Sequence, residues 1–283
     1  MTVASKPPID GGTILLTGAS AGIGRAIAEE LAPRAGKLVL VARRVERLQE
    51  LAEALKAKSP KLEVHVRGCD LGDVAAARAL IGEVEASVGP IDVLINNAGI
   101  GDVGMFDLAE WERIEKMITL DITSLTALTH AALPRMIERR RGGILNISSG
   151  FGLEYMPGFT AYSACKHFVT ALTEGLRIEA RPFGVVVSQA CPGPVRTEFQ
   201  DVAAPEFSDR KLPSFVEMSA EECARSVVRG FRKGKALIIP GVLIHAALAL
   251  GAVTPRWMKR WAYRLVANDM RRHQDKQRSP GGK

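Results

Sequence analysis

Short apolar runs alternate with longer stretches of helical periodicity along most of the chain. The apolar runs predict strands at residues 14–17, 37–42, 64–69, 91–96, 143–148, 185–191 and 236–240. Apolar positions three and four residues apart predict helices over residues 25–31, 45–57, 74–87, 111–138 and 161–180. Strands that are almost continuously apolar are typical of a parallel sheet, which is buried on both faces. The alternation therefore predicts an α/β fold: a doubly wound parallel sheet with helices on both faces.

The alternation ends near residue 240, and no internal repeat or linker divides the part before it. We expect a single domain over residues 11–240, followed by an apolar and amphipathic helical extension over residues 241–270. The first ten residues and residues 271–283 are polar or contain Pro and Gly. We therefore expect both ends of the chain to be flexible.

A glycine-rich turn joins the first predicted strand to the first predicted helix. Thr17 is followed by Gly18, Gly22 and Gly24, in the spacing Gly-x-x-x-Gly-x-Gly. A strand, a glycine turn and a helix are the context of a dinucleotide site, where the backbone approaches a pyrophosphate and the helix offers free N–H groups. The alternative is a glycine-rich loop that binds no ligand.

Tyr162 and Lys166 lie four residues apart in a predicted helix, and Ser149 lies thirteen residues before the tyrosine. Because positions i and i+4 share a helix face, the phenol and the ammonium point into the same space. We expect the cation to lower the pKa of Tyr162, which suits proton exchange with a carbonyl or an alcohol near neutral pH. Most such pairs are solvated helix faces, so this pair needs the support of the other motifs.

Together, these features resemble the short-chain dehydrogenase/reductase family over residues 10–240. Residues 17–24 resemble its TGxxxGxG turn, residues 96–99 its NNAG segment and residues 191–197 its PGxVxT turn beside the nicotinamide. The resemblance implies a Rossmann-type fold. It also implies that Tyr162 is the acid, that Ser149 polarises the carbonyl, and that Lys166 lowers the tyrosine pKa and binds the nicotinamide ribose.

The resemblance and the glycine turn also indicate a set of cofactor-binding residues, in which Asp70 would bind the adenine amino group. The set is Gly18, Gly22, Ile23, Gly24, Asp70, Asn97, Ala98, Gly99, Tyr162, Lys166, Pro192, Gly193, Val195 and Thr197.

Asp121 stands where the family usually has an asparagine, in the helix before Ser149. In the family, this residue helps to hold a water that connects the lysine to solvent, so Asp121 is the fourth candidate catalytic residue. An ionised carboxylate accepts hydrogen bonds but donates none, and it adds a negative charge near Lys166. We expect this charge to offset part of the effect of Lys166 on the pKa of Tyr162.

Two arginines, Arg43 and Arg44, follow the second predicted strand, and no acidic residue occurs until Glu46. An acid at this strand end binds the ribose 2′-hydroxyl of NAD, whereas an arginine accommodates the 2′-phosphate of NADP. We therefore predict NADP rather than NAD, with Arg43 on the phosphate and the Ser20 hydroxyl as a further contact. A solvated loop charge is the alternative for both arginines, and we keep it for Arg44.

Composition and charge exclude several classes of function. The net charge of +7 is spread widely, and no nucleic-acid-binding motif occurs, so we expect no nucleic-acid partner. The four cysteines lie far apart and without metal-ligand spacing, so we expect no metal site. Free thiols and the lack of a signal-peptide pattern lead us to expect a cytoplasmic protein.

The C-terminal extension admits two interpretations. Residues 236–255 carry no charge, but Pro240 and Gly241 interrupt them and leave a run too short to span a membrane. Trp257, Trp261 and Leu265 then share one helix face among basic residues. This pattern suits a membrane-surface helix, or a helix docked on its own subunit over an apolar substrate site.

We predict an NADP(H)-dependent oxidoreductase that interconverts a carbonyl and a secondary alcohol on an apolar small molecule, such as a lipid, steroid or long-chain ketone. Residues 198–218 are expected to line the substrate pocket, together with Phe151, Leu153, Tyr155 and Met156. The resemblance implies a homodimer or homotetramer built on the helices over residues 111–138 and 161–180. The alternatives are a catalytically weak dinucleotide sensor or scaffold, and a membrane-attached assembly factor.

Overall fold

The computed structural model of the protein describes residues 6–203 and 216–278, and this part of the chain holds one seven-stranded parallel sheet. The strands are β1 (Thr13–Thr17), β2 (Lys37–Ala42), β3 (Glu63–Gly68), β4 (Val93–Asn96), β5 (Gly142–Ile147), β6 (Val185–Ala190) and β7 (Leu237–Ile238). Their order in the sheet is β3-β2-β1-β4-β5-β6-β7. The predicted doubly wound α/β fold is therefore confirmed.

Helices cover both faces of the sheet. They are α1 (Gly22–Leu31), α2 (Val45–Lys58), α3 (Val74–Ser87), α4 (Trp111–Ile118), α5 (Leu125–Glu138), α6 (Thr160–Ala180), α7 (Glu198–Ala203), α8 (Ala220–Arg232), α9 (Val242–Val253) and α10 (Arg256–Arg278). In the described ranges, 6–203 and 216–278, no helix is long and apolar enough to cross a membrane.

Alternate side chains of the central strands enter two separate cores. Ile14 and Leu16 of β1 pack with α1, α2 and α8 on one face of the sheet. Leu15, between them, packs on the opposite face with α3 and α5. Because successive side chains of a strand point to opposite faces, a run such as 14–16 must be apolar throughout.

The strand order reverses between β1 and β4, and this reversal fixes where a ligand can bind. β1 pairs with β2 on one side and with β4 on the other, so the connections after β1 and β4 lead away from each other. In doubly wound sheets, a crevice opens at such a point, outside the carboxyl ends of the strands. The glycine turn after β1 and the Asn97 segment after β4 both lie at this crevice.

The helix predicted over residues 111–138 is interrupted. A π-helical turn, Thr119–Ser124, separates α4 from α5, and Asp121 lies in it, fully buried. A π turn inserts an extra residue into the helix and so changes which side chains face inward, as is frequent at functional sites. Hydrophobic periodicity does not predict this turn because the apolar pattern continues on both sides.

The two ends of the chain are more ordered than the sequence predicts. Ile9 is buried in the core beneath β1, although it lies in the segment expected to be flexible. α10 continues past residue 271, where Gln274 is buried and accepts a hydrogen bond from the Met105 N–H at 2.8 Å. These contacts join residues far apart in sequence, so local composition could not predict them. The rest of both ends, residues 1–5 and 279–283, lies outside the described residues.

Candidate active site

The backbone of the glycine turn after β1 lies in direct contact with the segment that follows β4. Gly18 has a φ of +66°, and a Cβ atom on it would lie 2.8 Å from Asn97 Nδ2. A Cβ atom on Gly24 would lie 2.2 Å from the Gly18 carbonyl oxygen. Thr17 Oγ1 accepts hydrogen bonds from the Asn97 and Ala98 N–H groups, both at 3.0 Å. The turn therefore requires glycine at both positions and is fixed to the Asn97 segment.

The N-terminus of α1 is open to an anion. Its N-cap residue, Ala21, has no side chain that could accept a hydrogen bond, and the first turn holds no acidic residue. Gly22 has a φ of +54°, which suits glycine and leaves the first N–H groups of α1 uncovered. Because a helix N-terminus carries partial positive charge, this cradle fits the pyrophosphate of a dinucleotide.

A cleft of about 1690 Å³ runs along the carboxyl ends of the strands and brings the predicted site residues together. It has room for a dinucleotide and a second small molecule, since single drug-sized ligands occupy about 300–1,000 Å³. Of the predicted catalytic and cofactor-binding residues, only Asp121 does not line it. Those that do are Gly18, Ser20, Gly22, Ile23, Gly24, Arg43, Asp70, Asn97, Ala98, Gly99, Ser149, Tyr162, Lys166, Pro192, Gly193, Val195 and Thr197.

Arg44, rather than Arg43, makes the polar contacts at the end of β2. Its guanidinium donates to Ser20 Oγ at 3.2 Å and pairs with the Glu198 carboxylate at 2.9 Å. Arg47 pairs with the same carboxylate at 2.6 Å. Arg44 is exposed and therefore still a solvated charge, but it is paired rather than free, and Arg43 lines the cleft beside it. The proximity of Ser20 was predictable from the glycine turn, but Glu198 comes from α7 and gave no sequence signal.

Ser149, Tyr162 and Lys166 converge at the centre of the cleft. Tyr162 and Lys166 share a face of α6, with Lys166 Nζ 5.6 Å from the centre of the tyrosine ring. Ser149 forms a hydrogen bond with Tyr162 and also accepts one from the Phe151 N–H at 3.2 Å. Because its oxygen already accepts a backbone N–H, the Ser149 hydroxyl is oriented to donate its own hydrogen into the cleft.

Asp121 lies directly behind Lys166 and forms a buried ion pair with it. Asp121 Oδ2 is 2.9 Å from Lys166 Nζ, and the two side chains are 0% and 6% exposed. The other carboxylate oxygen, Oδ1, accepts the Ile100 N–H at 2.9 Å. Lys166 also donates to the Ile147 carbonyl at 3.4 Å. The carboxylate thus fixes the lysine from behind, on the side away from the cleft.

Burial governs the protonation of these groups. Burial lowers the pKa of Lys166, but Asp121 and Tyr162 together raise it by more, so the side chain stays an ammonium ion. Burial raises the pKa of Asp121, against the opposing effect of Lys166. Burial also raises the pKa of Tyr162, and Asp121 adds to this, whereas Lys166 and Ser149 lower it. The net lowering of the Tyr162 pKa expected from the sequence is therefore wrong: the lysine acts in the expected direction, but burial outweighs it.

A buried amide network holds the two helices of the site against the sheet. Asn96 Nδ2 donates to Asn146 Oδ1 at 2.8 Å and to Thr129 Oγ1 at 3.0 Å. Asn146 Nδ2 then donates to Thr173 Oγ1 at 2.9 Å. The first Asn of the Asn96-Asn97 pair is thus structural: it links β4 to β5 and to α5, and Asn146 extends the link to α6.

The cysteines contribute packing rather than chemistry. All four are free, and Cys165, Cys191 and Cys223 are buried. Burial raises the pKa of the Cys165 thiol to about 11 and that of Cys223 to about 12, so both stay protonated at neutral pH. Within residues 6–203 and 216–278, no group of three His, Cys, Asp or Glu side chains could hold a metal ion.

The far end of the cleft is apolar and agrees in part with the predicted pocket. Phe151 and Met156 line it, as do Phe199 and Ala203 from the predicted segment 198–218; Glu198 and Glu217 of that segment also line the cleft, with Glu198 beside Arg44. Residues 204–215 of that segment lie outside the described residues. Leu153 and Tyr155 do not line the cleft; the Tyr155 ring packs against Tyr263 of α10 instead, at 5.6 Å between ring centres.

Helices α9 and α10 close this apolar end, which the sequence predicted only as one of two alternatives. α10 is held by an ion pair between Lys259 and Glu154 and by a two-bond pair between Arg271 and Asp107. Six residues of the two helices line the cleft: Ile244, Ala247, Leu248, Val266, Asp269 and Met270. The extension therefore docks on its own subunit over the site. No single residue of this lid was predicted, because tertiary packing selects which helix face turns inward.

Comparison with known proteins identifies the family of this chain. The sequence model of the family described as short chain dehydrogenase matches residues 12–206. This chain belongs to the short-chain dehydrogenase/reductase family. The matched range contains the glycine turn, Ser149, Tyr162 and Lys166, so the predicted resemblance is confirmed.

Individual relatives agree with this assignment. Sulfoacetaldehyde reductase 2 of Chromohalobacter salexigens is 39% identical over 194 residues, which cover 66% of this chain and 73% of that protein. A short-chain dehydrogenase from Sphingobium yanoikuyae in complex with NADPH is 34% identical, with a TM-score of 0.75 over 86% of this chain and 96% of that one. The bulky-bulky ketone specific alcohol dehydrogenase from Comamonas testosteroni is 31% identical, with a TM-score of 0.70 over 86% and 95%. The chain is therefore an oxidoreductase of the alcohol dehydrogenase type that uses NAD(P) to interconvert carbonyl and alcohol groups.

Proposed function

We propose that this enzyme is specific for NADP(H) and interconverts an apolar ketone and the corresponding secondary alcohol. The preference for NADP(H) over NAD(H) is inferred from the contact between Arg44 and Ser20. Two guanidinium groups, Arg43 and Arg44, stand at the end of β2 where an NAD-dependent enzyme places an acid. Guanidinium groups pair with phosphate oxygens through charge-assisted hydrogen bonds, so a 2′-phosphate is favoured over a 2′-hydroxyl here.

The bound dinucleotide would supply or accept the hydride, and the protein would orient the substrate and move the proton. Ser149 donates a hydrogen bond to the substrate oxygen and polarises it. Tyr162, bonded to Ser149, gives its phenol proton to that oxygen in reduction and takes it back in oxidation. Lys166 stays positively charged beside the phenol because the negative charge of Asp121, on the other side of the ammonium, stabilises its charged form.

The raised pKa of Tyr162 has a direct consequence for pH dependence. Reduction requires the protonated phenol, and burial keeps the phenol protonated at neutral pH. Oxidation requires the phenolate, which forms only as the pH rises through the raised pKa. We therefore expect ketone reduction at neutral pH, and alcohol oxidation that increases toward alkaline pH.

An apolar substrate is favoured by the side chains beyond Tyr162. Aromatic and aliphatic groups line most of that end of the cleft, beside the carboxylates of Glu154 and Asp269. The main apolar groups are Phe151, Phe159, Phe199, Leu248, Val266 and Met270. The relative that is specific for bulky ketones supports this size class, whereas another relative is a sulfoacetaldehyde reductase.

Steady-state turnover of NADPH and NADH against ketones of graded chain length tests this function. We expect activity to rise with chain length and NADPH to be preferred. Arg44→Ala should weaken NADPH binding about tenfold to a hundredfold, as expected for the loss of a charge-assisted contact of about 1.5–3 kcal/mol, and should leave NADH binding unchanged. Arg43→Ala tests the second guanidinium in the same way. Equal weakening of both cofactors would remove the basis of the NADP assignment.

The same turnover assay decides between an enzyme and the alternative of a catalytically weak dinucleotide sensor. A protein that binds NADPH tightly but reduces no ketone of the series would support the sensor.

We also propose a cytoplasmic location, which rests on the four free thiols.

We further propose that the protein is a homo-oligomer that pairs α6 with its twofold mate. Of the apolar residues on the helices over 111–138 and 161–180, Leu128 and Val169 are buried in the core, but Phe168 is exposed. Phe168 belongs to an outward stripe of α6 at helical spacing. The stripe comprises Ala164, Phe168, Ala171, Gly175 and Ile178. Its small residues allow a second helix to approach closely.

A further inference from the structure

Helices α9 and α10 are apolar on two opposite sides. The inner side faces the cleft through Ile244, Leu248, Val266 and Met270. The outer side is exposed: Val253, Trp257 and Trp261 are 77%, 69% and 66% accessible. We call this side the outer face. It consists of Val242, Leu243, Leu250, Val253, Trp257, Trp261 and Leu265. Large apolar side chains that share one exposed surface indicate an interaction site rather than ordinary surface variation.

Positive charge runs beside the outer face. Arg256, Arg260 and Arg264 form a helix row next to the row of Trp257 and Trp261. These three arginines are exposed and make no ion pair within the described part of the chain. The sequence from residue 223 to residue 268 contains nine Arg and Lys residues and no Asp or Glu. No acidic residue of α9, or of α10 before Asp269, therefore lies among these arginines, and the Glu154 carboxylate, which lies beside both helices, pairs with Lys259.

This charge distribution determines which partner fits. A second copy of the chain that docked through the same face would bring two sets of arginines together, because a twofold interface pairs a surface with itself. Like charges at such an interface are repulsive. An anionic surface instead neutralises the arginines, and the tryptophans enter the apolar layer just beneath it. The proposed homo-oligomer uses the α6 stripe, which lies on a different helix.

We propose that the outer face of α9 and α10 docks this enzyme on the surface of a membrane that contains anionic lipids. The helices lie on the membrane and do not cross it. Docking places the lid of the cleft against the lipid, so an apolar ketone dissolved in the membrane can enter beside α9 and α10. The docking step is independent of the reaction; only the entry route rests on the proposed apolar substrate.

Vesicle co-sedimentation of the full chain tests the docking step without any turnover. We expect binding to vesicles of equal parts phosphatidylcholine and phosphatidylserine, weaker binding to phosphatidylcholine alone, and release by high salt. The double variant Trp257→Ser/Trp261→Ser should bind the anionic vesicles at least about tenfold more weakly. Trp111→Ser is the matched control, because Trp111 is 60% exposed but lies on α4, and it should bind like the wild type.

A second pair of double variants tests the contribution of the basic residues to vesicle binding. Arg256→Glu/Arg260→Glu should weaken anionic-vesicle binding at least about tenfold, since each basic residue near such a surface contributes roughly fivefold. Arg78→Glu/Arg181→Glu makes the same charge change on exposed residues elsewhere and should have little effect. Circular dichroism checks that each variant is folded; all substituted side chains are on the surface.

Three results would overturn the proposal. The first is a wild-type protein that stays in the supernatant with anionic vesicles at low salt. The second is a loss of vesicle binding that is as large in the two control variants as in the outer-face variants. The third is a sedimentation experiment in which Trp257→Ser/Trp261→Ser dissociates an oligomer, because the outer face would then be covered by a second copy. Loss of ketone reduction with vesicle binding intact would instead contradict the proposed function and leave the docking surface standing.

Discussion

Replacing Asp121 by asparagine tests how the buried ion pair controls the site. The two carboxylate oxygens serve two donors: Oδ1 accepts the Ile100 N–H at 2.9 Å, and Oδ2 pairs with Lys166 at 2.9 Å. An amide has one acceptor oxygen and one NH₂ group. In Asp121→Asn, one of the two donors therefore faces another donor, although the size and shape of the side chain barely change.

The expected loss of stability follows from these contacts. Removing one partner of a buried ion pair costs about 3–5 kcal/mol, because the other charge stays buried without compensation. The asparagine oxygen can still accept a hydrogen bond from the Lys166 ammonium, and such a bond contributes about 1.5–3 kcal/mol. We therefore expect Asp121→Asn to lower the free energy of unfolding by about 1–3 kcal/mol, and Asp121→Ala to lower it by more.

The effect on catalysis has a defined sign. The Asp121 charge raises the pKa of Tyr162, so its removal lowers that pKa. Alcohol oxidation requires the phenolate, so the rise of its rate with pH should move to lower pH. Turnover itself should be kept or raised, because the proton donor remains; the change should be far smaller than the 10²–10⁴-fold contribution of general acid–base catalysis.

Urea unfolding and the pH profile of alcohol oxidation measure the two effects, and Asp92→Asn is the matched control. Asp92 also divides its oxygens between a backbone N–H, that of Thr13 at 3.0 Å, and a cation, Arg141 at 3.0 Å, but it lies at the opposite end of the sheet. Both variants should be destabilised, and only Asp121→Asn should shift the pH profile. An unchanged profile would mean that the Asp121 charge does not act on Tyr162. A folded Asp121→Asn variant without activity would mean that the carboxylate itself is required.

Three further predictions concern the acid, the cofactor and the assembly. Tyr162→Phe should lower turnover by about 10²–10⁴-fold and leave the NADPH dissociation constant nearly unchanged, as measured by cofactor fluorescence; a variant that keeps most of its activity would show that another group is the acid. Glu198→Gln removes the carboxylate that occupies Arg44 and should tighten NADPH binding severalfold with no effect on NADH; weaker binding of both cofactors would instead indicate that Glu198 helps to hold the cleft closed. Sedimentation at micromolar concentration should show an oligomer that Phe168→Arg dissociates, and a wild-type monomer would refute the α6 interface.

The parts of the site that were predictable from the sequence are those that depend on local backbone geometry. The strand, the glycine turn and the start of α1 are consecutive; Gly18 and Gly24 are required by contacts within the turn and with the Asn97 segment, and Gly22 by its positive φ. Tyr162 and Lys166 share a face of one helix, so their spacing predicted that they point into the same space, and the other motifs indicated that this space is the site. In both cases, the information lies within a few residues of the chain.

The parts that were missed depend on contacts between distant segments. The pairing of Arg44 was missed because its partner Glu198 is 154 residues away. The sequence left two hypotheses for the C-terminal helices, docking on the cleft or on a membrane surface. It shows that α10 has an apolar face, but not what covers that face. The structure shows that α9 and α10 have two such faces, one toward the cleft and one toward solvent. The two hypotheses are therefore compatible, which a helix considered alone could not indicate.

The protonation of Tyr162 shows why the identities of neighbouring residues are not enough to predict the chemistry of a site. The sequence placed a cation beside the phenol and correctly gave the direction of its effect. It could not give the depth of burial, which raises the pKa by more than Lys166 lowers it. The sequence also predicted correctly that the Asp121 charge offsets part of the effect of Lys166 on the phenol, but it could not show the π turn that brings the carboxylate directly onto the lysine. The tyrosine is thus kept protonated by its surroundings and not by its sequence neighbours, and at neutral pH a ketone in the cleft meets a phenol that still carries the proton that reduction requires.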